Sequence, residues 1–190
     1  MLLKNEIRKN ISQMREMMTK KQIKELNDSF VHHFHSINFL KNIKNQIIAG
    51  YYPFNLECNI LPILEYYSKN NKICLPVIEN KFEKMIFKKW NLNANELEKN
   101  KLFKKQNLFE PIKSSQILTP TIVFMPAIAI DIFGNRIGYG AGYYDKTLQN
   151  LNCIKIATIF NFQLFNTEFE HYKNDIKVDY ILTENKFMQI

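Results

Sequence analysis

The sequence predicts an α/β fold built on a mainly parallel sheet with helices on both faces. Three observations carry that prediction. Amphipathic helical periods alternate with short apolar runs along the chain. The clearest run, TIVFM at 121–125, has no polar alternation and so belongs in a strand buried on both sides. A glycine-rich loop then lies between strand-like and helix-like segments, where α/β sheets present backbone to ligands.

The elements follow in order. Leu3, Ile7, Ile11, Met14 and Met18 recur at helical spacing and predict a helix over 3–18. Thr19 caps a second helix at about 20–37, whose stripe is Ile23, Leu26, Phe30, Phe34 and Ile37. QIIAGYY at 46–52, ended by Pro53, reads as a buried strand. Residues 57–69 read as a helix with Pro62 in its first turn. KICLPVI at 72–78 is strand-like, with Pro76 marking its end, and 83–90 is another candidate strand. Residues 91–119 are polar and irregular, which suggests a long excursion. After the glycine loop, 143–151 starts a helix, and 153–160 and 178–183 are strand-like. No internal repeat or linker appears, so the expectation is one domain over residues 1–190.

Composition narrows the function. The apolar fraction is 46 % with 13 % aromatic residues, which fits a folded protein and argues against disorder; the net charge of +8 fits either a protein that handles anions or plain compositional drift. No apolar run is long enough to span a bilayer, and the start MLLKNEIRKN lacks a signal-peptide core, so the expectation is a cytoplasmic chain with no membrane partner. Cys58, Cys74 and Cys153 are far apart and read as small apolar residues. His32, His33 and His35 share a helix without ligand-spaced partners, so no metal is assigned to them. The basic residues are scattered rather than clustered on one face with aromatics, which speaks against nucleic acid.

The loop GNRIGYGAGYYDKTL holds four of the five glycines, Gly134, Gly138, Gly140 and Gly142. Glycine lets a ligand approach bare backbone, and successive N–H groups before a helix suit phosphate. Neither the GxxxxGK[ST] nor the GxGxxG phosphate pattern fits. Arg136 offers a planar fork for phosphate oxygens. Asp145, at the start of the next helix, is either a carboxylate for Mg²⁺ or a helix-dipole partner. Tyr143 and Tyr144 can stack on a planar ring; the alternative is that one of them packs in the core.

These residues resemble a known signature. NRIGYGAGYYDKTL, preceded by MPAIAID, resembles the pattern of the 5-formyltetrahydrofolate cyclo-ligase family. The resemblance extends to Lys4-Asn5-Glu6-Ile7-Arg8, to YYPFNLE with Tyr52 and Glu57, to ICLPVI, to Glu110-Pro111, and to Asp175 and Asp179 before the last strand. It implies a three-layer α/β/α sandwich related to the sugar-phosphate isomerase and CoA-transferase type of fold. It also implies conversion of 5-formyltetrahydrofolate to 5,10-methenyltetrahydrofolate with ATP and Mg²⁺. A formamide oxygen is a poor leaving group, and phosphorylation of that oxygen lets N10 close the ring.

Carried over residue by residue, Arg136 and Asp145 would be catalytic. ATP would contact Lys4, Arg8, Arg136, Ile137, Gly138, Tyr139, Gly140, Ala141, Gly142, Tyr143 and Tyr144. Folate would contact Tyr52, Glu57, Tyr139, Gly140, Ala141, Gly142 and Tyr143. Mg²⁺ would sit on Asp145 and Asp175. The plain alternatives are a solvated basic stripe for Lys4, Arg8 and Arg15, a first-turn glutamate for Glu57, and a turn residue for Asp175. Arg15 is not assigned to phosphate, and Trp90 is assigned to packing. Tyr139, Ala141, Lys146, Ala127 and Ile130 depart from the pattern; Tyr139 and Lys146 stand where arginine is usual. The expectation is a monomer, with polyglutamylated folates favoured by the positive charge. The rival readings are an RNA-binding relative without turnover and a sugar-phosphate enzyme of related fold.

Overall fold

The computed structural model describes residues 4–103 and 108–190. The helices are α1 (Lys4–Met17), α2 (Lys20–Ser36), α3 (Asn38–Lys41), α4 (Leu61–Ser68) and α5 (Tyr143–Leu148). The strands are β1 (Ile47–Ala49), β2 (Lys72–Val77), β3 (Ile86–Lys89), β4 (Leu97–Lys99), β5 (Phe109–Pro111) and β6 (Ile122–Pro126). They continue with β7 (Ala129–Asp131), β8 (Arg136–Ile137), β9 (Ile154–Thr158), β10 (Leu164–Phe165), β11 (Tyr180–Leu182) and β12 (Phe187–Gln189).

Seven strands form the main sheet in the order β12-β11-β9-β6-β1-β2-β3. The five inner strands are parallel, and the two edge strands pair antiparallel. Because side chains alternate across a strand, each inner strand feeds two cores. Ile48, Ile73, Phe124, Ile156 and Leu182 meet Phe30, Phe34, Ile63 and Tyr67 on the face covered by α2, α3 and α4. Ala49, Cys74, Val123, Met125 and Ala157 face the other way, against Leu148 of α5 and Ile130. That second helical layer is thin, only the six residues of α5. A small sheet, β10-β7-β8, packs its Ala129 and Ile137, with Ile128 just before β7, on Ile7 and Ile11 of α1.

Local rules account for the helix starts. Thr19 Oγ1 accepts from the Gln22 N–H at 3.2 Å, and Gln22 Oε1 accepts from the Thr19 N–H at 2.9 Å, so each satisfies an orphan donor of α2. Pro62 falls in the first turn of α4, where no N–H is needed.

Several expectations shift. The helix foreseen over 57–69 begins only at Leu61, which leaves Glu57 in a loop and removes its reading as a first-turn residue. Pro76 lies inside β2 rather than ending it, because pairing to β1 stops at Cys74 and no bond is asked of the missing N–H on that side. The 91–119 excursion is not irregular throughout. It carries a two-stranded antiparallel sheet, β4 with β5, fixed to the end of β2 by Glu110. Glu110 Oε2 accepts from Asn100 Nδ2 at 2.6 Å and from the Ile78 N–H at 3.2 Å. Residues 104–107 of that excursion lie outside the described residues. Among the described residues no helix is long and apolar enough to cross a membrane.

Candidate functional site

The neighbouring strands β1 and β6 mark the point where the chain order reverses. From β1 it steps outward to β2 and β3, and from β6 outward to β9 and β11. Parallel sheets open a crevice at the carboxyl ends of such a pair. Here it is a cavity of about 760 Å³, lined by Tyr51 and Tyr52 after β1 and by Pro126 at the end of β6.

One wall is the glycine loop. Between β6 and this loop the chain makes the β7–β8 hairpin, so the loop does not leave the main sheet directly. Asp131 organises that hairpin: its buried carboxylate accepts from the N–H groups of Phe133, Asn135 and Phe169 and from Asn135 Nδ2, at 2.7–2.9 Å. Gly134 belongs to the hairpin turn, not to the cavity lining, whereas Gly138, Gly140 and Gly142 line it. Gly140 and Gly142 have φ of +101° and +69°, a region L side chains rarely adopt. A Cβ at Gly142 would meet nothing within 4 Å, so its bare backbone faces the cavity. Gly138 is tight instead: a Cβ there would lie 2.6 Å from Arg136 Nη1.

The arginines and the lysine expected here are all engaged. Arg136 Nη2 bonds Asp145 Oδ2 at 3.3 Å, Nη1 bonds the Pro126 carbonyl at 3.4 Å, and the guanidinium lies 5.3 Å from the Tyr144 ring centroid. Arg8 Nε donates to the Gly138 carbonyl at 2.8 Å. Lys4 Nζ donates to Asp175 Oδ2 at 2.5 Å and sits 4.4 Å from the Tyr172 ring centroid. Asp145 Oδ1 accepts from the Ile176 N–H at 3.2 Å, which brings Asp145 beside Asp175. Burial pushes the Asp175 carboxyl up, but Lys4, the Tyr172 N–H and Arg136 more than offset it, and the group is held below the usual carboxylate value. The two carboxylates are hard oxygen donors of the kind Mg²⁺ takes. Among the described residues no group of three His, Cys, Asp or Glu side chains forms a metal cage.

The other end is apolar and aromatic, lined by Tyr52, Phe54, Met85, Phe103 and Phe109. Tyr52 packs against Phe109 and Trp90, with ring centroids 5.2 and 6.2 Å apart. Glu57 also lines the cavity, near the Phe54 turn and the glycine-loop residues Tyr139 and Tyr144. Its Oε2 accepts from the Phe54 N–H at 3.2 Å, while its buried Oε1 has no partner among the described residues. Burial pushes the carboxyl up to about 8, against the Phe54 N–H and the charge of Arg15. The turn that carries it is strained: Asn55 and Leu56 both have positive φ, +50° and +61°.

A sequence model of the 5-formyltetrahydrofolate cyclo-ligase family matches residues 2–184. The chain belongs to that family. A 5-formyltetrahydrofolate cyclo-ligase from Haemophilus influenzae is 29% identical over 154 residues, covering 77% of this chain and 78% of the relative. The solved 5,10-methenyltetrahydrofolate synthetase of Aquifex aeolicus superposes with a TM-score of 0.81 at 23% identity, over 99% of this chain and 93% of its own. That of Mycoplasma pneumoniae gives 0.74 at 20% identity, over 97% and 100%. Both likenesses establish a shared mixed α/β fold with a large, mainly parallel sheet.

Of the cyclo-ligase residues expected at the site, Lys4, Arg8, Tyr52, Glu57, Arg136, Gly138, Tyr139, Gly140, Ala141, Gly142, Tyr143, Tyr144, Asp145 and Asp175 all line this one cavity. Ile137 does not: it is 1% exposed and packs on α1. Sequence reasoning missed Phe54, Met85, Phe103, Phe109 and Tyr172. They come from loops and from the excursion, and an aromatic surplus in otherwise polar stretches could have flagged all of them but Met85.

Proposed function

We propose that the chain is an ATP- and Mg²⁺-dependent enzyme that converts 5-formyltetrahydrofolate to 5,10-methenyltetrahydrofolate, releasing ADP and phosphate. The observation that carries this reading is the polarity of the cavity. One end offers glycine backbone, three cations and two carboxylates; the other offers an aromatic slot, with a buried Glu57 oxygen in the same cavity that has no partner among the described residues. A nucleotide's phosphates suit the first end and a pterin suits the second.

In this reading the γ-phosphoryl of ATP passes to the formyl oxygen. N10 then attacks the activated carbon, the ring closes, and the C–O bond breaks as phosphate leaves. Phosphoryl transfer depends mostly on positioning and charge neutralisation. The N–H groups of the Gly138–Gly142 stretch cradle the phosphates. Arg136 fixes Asp145 and adds positive charge, and Arg8 and Lys4 flank the loop. Asp145 and Asp175 would hold Mg²⁺, which neutralises phosphate charge when bound. Tyr52 and Tyr143 line the slot, and Glu57 Oε1 takes hydrogen bonds from the donor edge of the pterin. That contact satisfies an acceptor which is otherwise buried and unpaired.

The test is near-ultraviolet absorbance of purified protein with 5-formyltetrahydrofolate and Mg²⁺, with and without ATP. Growth of the methenyl chromophore only with ATP is expected. A flat trace beside an active control enzyme overturns the reading.

A further inference from the structure

Arg15 is buried, 5% exposed, yet no carboxylate lies within ion-pair distance of it among the described residues. A buried guanidinium needs acceptors, and this one finds only neutral ones. Nη2 donates to the Ala127 carbonyl at 3.1 Å, and Nη1 to the Tyr139 hydroxyl at 3.2 Å and the Asn55 carbonyl at 3.5 Å. Nε has no partner among the described residues.

Two of those acceptors, Asn55 and Tyr139, line the cavity, and the third, Ala127, directly follows the lining residue Pro126. Ala127 follows β6, Tyr139 is the residue between Gly138 and Gly140, and Asn55 opens the strained turn that ends at Glu57. Arg15 itself stands behind the wall and does not line the cavity. On the cavity side the same frame is closed by Phe54 and Tyr139, whose ring centroids are 5.2 Å apart. Arg8, seven residues earlier on the same helix, fixes the neighbouring Gly138 carbonyl. Helix α1 therefore sets the glycine loop at two successive residues, and through Arg15 it also sets the Glu57 turn.

We propose that Arg15 is a positioning residue for the folate half of the site. It holds the Tyr139 ring and the Asn55–Leu56 turn in one frame, so that Glu57 keeps its place relative to the glycine loop. Its charge has a second use. When a ligand's donors favour ionised Glu57, Arg15 is the cation whose charge acts on that carboxylate. The other titratable groups facing Glu57 are the hydroxyls of Tyr51, Tyr139 and Tyr144 and the thiol of Cys58, none of which supplies positive charge. The tyrosine at 139 and the arginine at 15 thus work as a pair: a shorter or uncharged side chain at 15 would free the Tyr139 hydroxyl and the turn together.

The inference rests on the folate reading above, and the experiment separates the two. Arg15→Gln, Arg15→Lys and Tyr139→Phe are compared with the wild-type chain in steady-state kinetics, varying the folate substrate and Mg-ATP in turn. Equilibrium binding of each ligand is measured by calorimetry. Arg15→Gln is expected to raise the folate KM about tenfold or more and leave the ATP KM within about twofold. Tyr139→Phe, which removes one of the three acceptors of Arg15, is expected to raise the folate KM about threefold, and adding it to Arg15→Gln is expected to cost nothing further, because the Tyr139 hydroxyl acts through Arg15. Arg15→Lys should recover part of the loss. Unchanged folate KM in Arg15→Gln, or an equal rise in both KM values, overturns the proposal while the folate reading stands. If Arg15→Gln does not fold, a Tyr139→Phe enzyme with wild-type folate KM overturns it just as well. A wild-type chain that binds no folate overturns both.

Discussion

The two ends of the cavity are built on opposite principles. At the glycine-loop end the proposed phosphate and metal groups are partnered: Arg136 with Asp145, Lys4 with Asp175, Arg8 with the Gly138 carbonyl. At the aromatic end Glu57 leaves one buried oxygen unpaired among the described residues and sits on a left-handed turn made without glycine. A charged pair can exchange one partner for a phosphate or a cation with little change in its surroundings. An unpaired buried acceptor keeps a standing cost until a ligand donates to it. The first end is thus prepared for anions and cations in general, and the second for one hydrogen-bond donor edge.

The largest effect that would sharpen this contrast is expected from Asp145→Ala. It removes the Arg136 pair, the Ile176 contact and a proposed Mg²⁺ ligand at once, and kcat should fall by at least about 100-fold. The check is the methenyl absorbance assay across Mg²⁺ concentrations; near-wild-type turnover would remove Asp145 from the mechanism. Glu57→Gln should come next. A hydrogen bond to a charged group contributes about 1.5–3 kcal/mol, so the folate KM should rise roughly 10- to 100-fold with the ATP KM nearly unchanged. Equal rises in both would mean that the two ends are not distinct.

Gly140→Ala tests the other end. At φ +101° alanine is strained by about 1–3 kcal/mol. The ATP KM should rise about tenfold, with the folate KM less affected, and the melting temperature should drop by several degrees. A variant with intact ATP affinity would show that the loop backbone does not touch phosphate.

The last test reads stability against pH. The folded Glu57 carboxyl has its value pushed to about 8, above an ordinary 4.5. Between those values the folded chain keeps a proton that the unfolded chain has lost. This contribution is full below the ordinary value and is lost as pH rises through about 8. Thermal melts of Glu57→Gln across that window should show a flatter pH slope than wild type, and a parallel slope would place the ionisation elsewhere. Folate affinity should rise over the same window and then level, since the ligand's donors favour the ionised carboxylate.

How much of this was legible in the sequence depends on how local the signal was. The stripe of Ile7 and Ile11 gave α1, Thr19 gave the start of α2, and unbroken apolar runs gave the inner strands, because helical period, cap chemistry and strand burial are written within a few residues. The glycine loop was legible for the same reason, and so was the family, whose pattern is a string of neighbouring residues. What tertiary structure alone decided is longer in range. Lys4 reaches Asp175 across 171 positions, and Arg15 reaches Tyr139 across 124. That Arg136 is paired with Asp145, that Glu57 stands outside a helix with a free oxygen, and that Phe103 and Phe109 of a polar excursion face the cavity all depend on which distant elements pack together. A sequence specifies its local periods directly, but burial and pairing are properties of the assembled sheet. The reversal of strand order between β1 and β6 is what turned scattered charges and aromatics into one site.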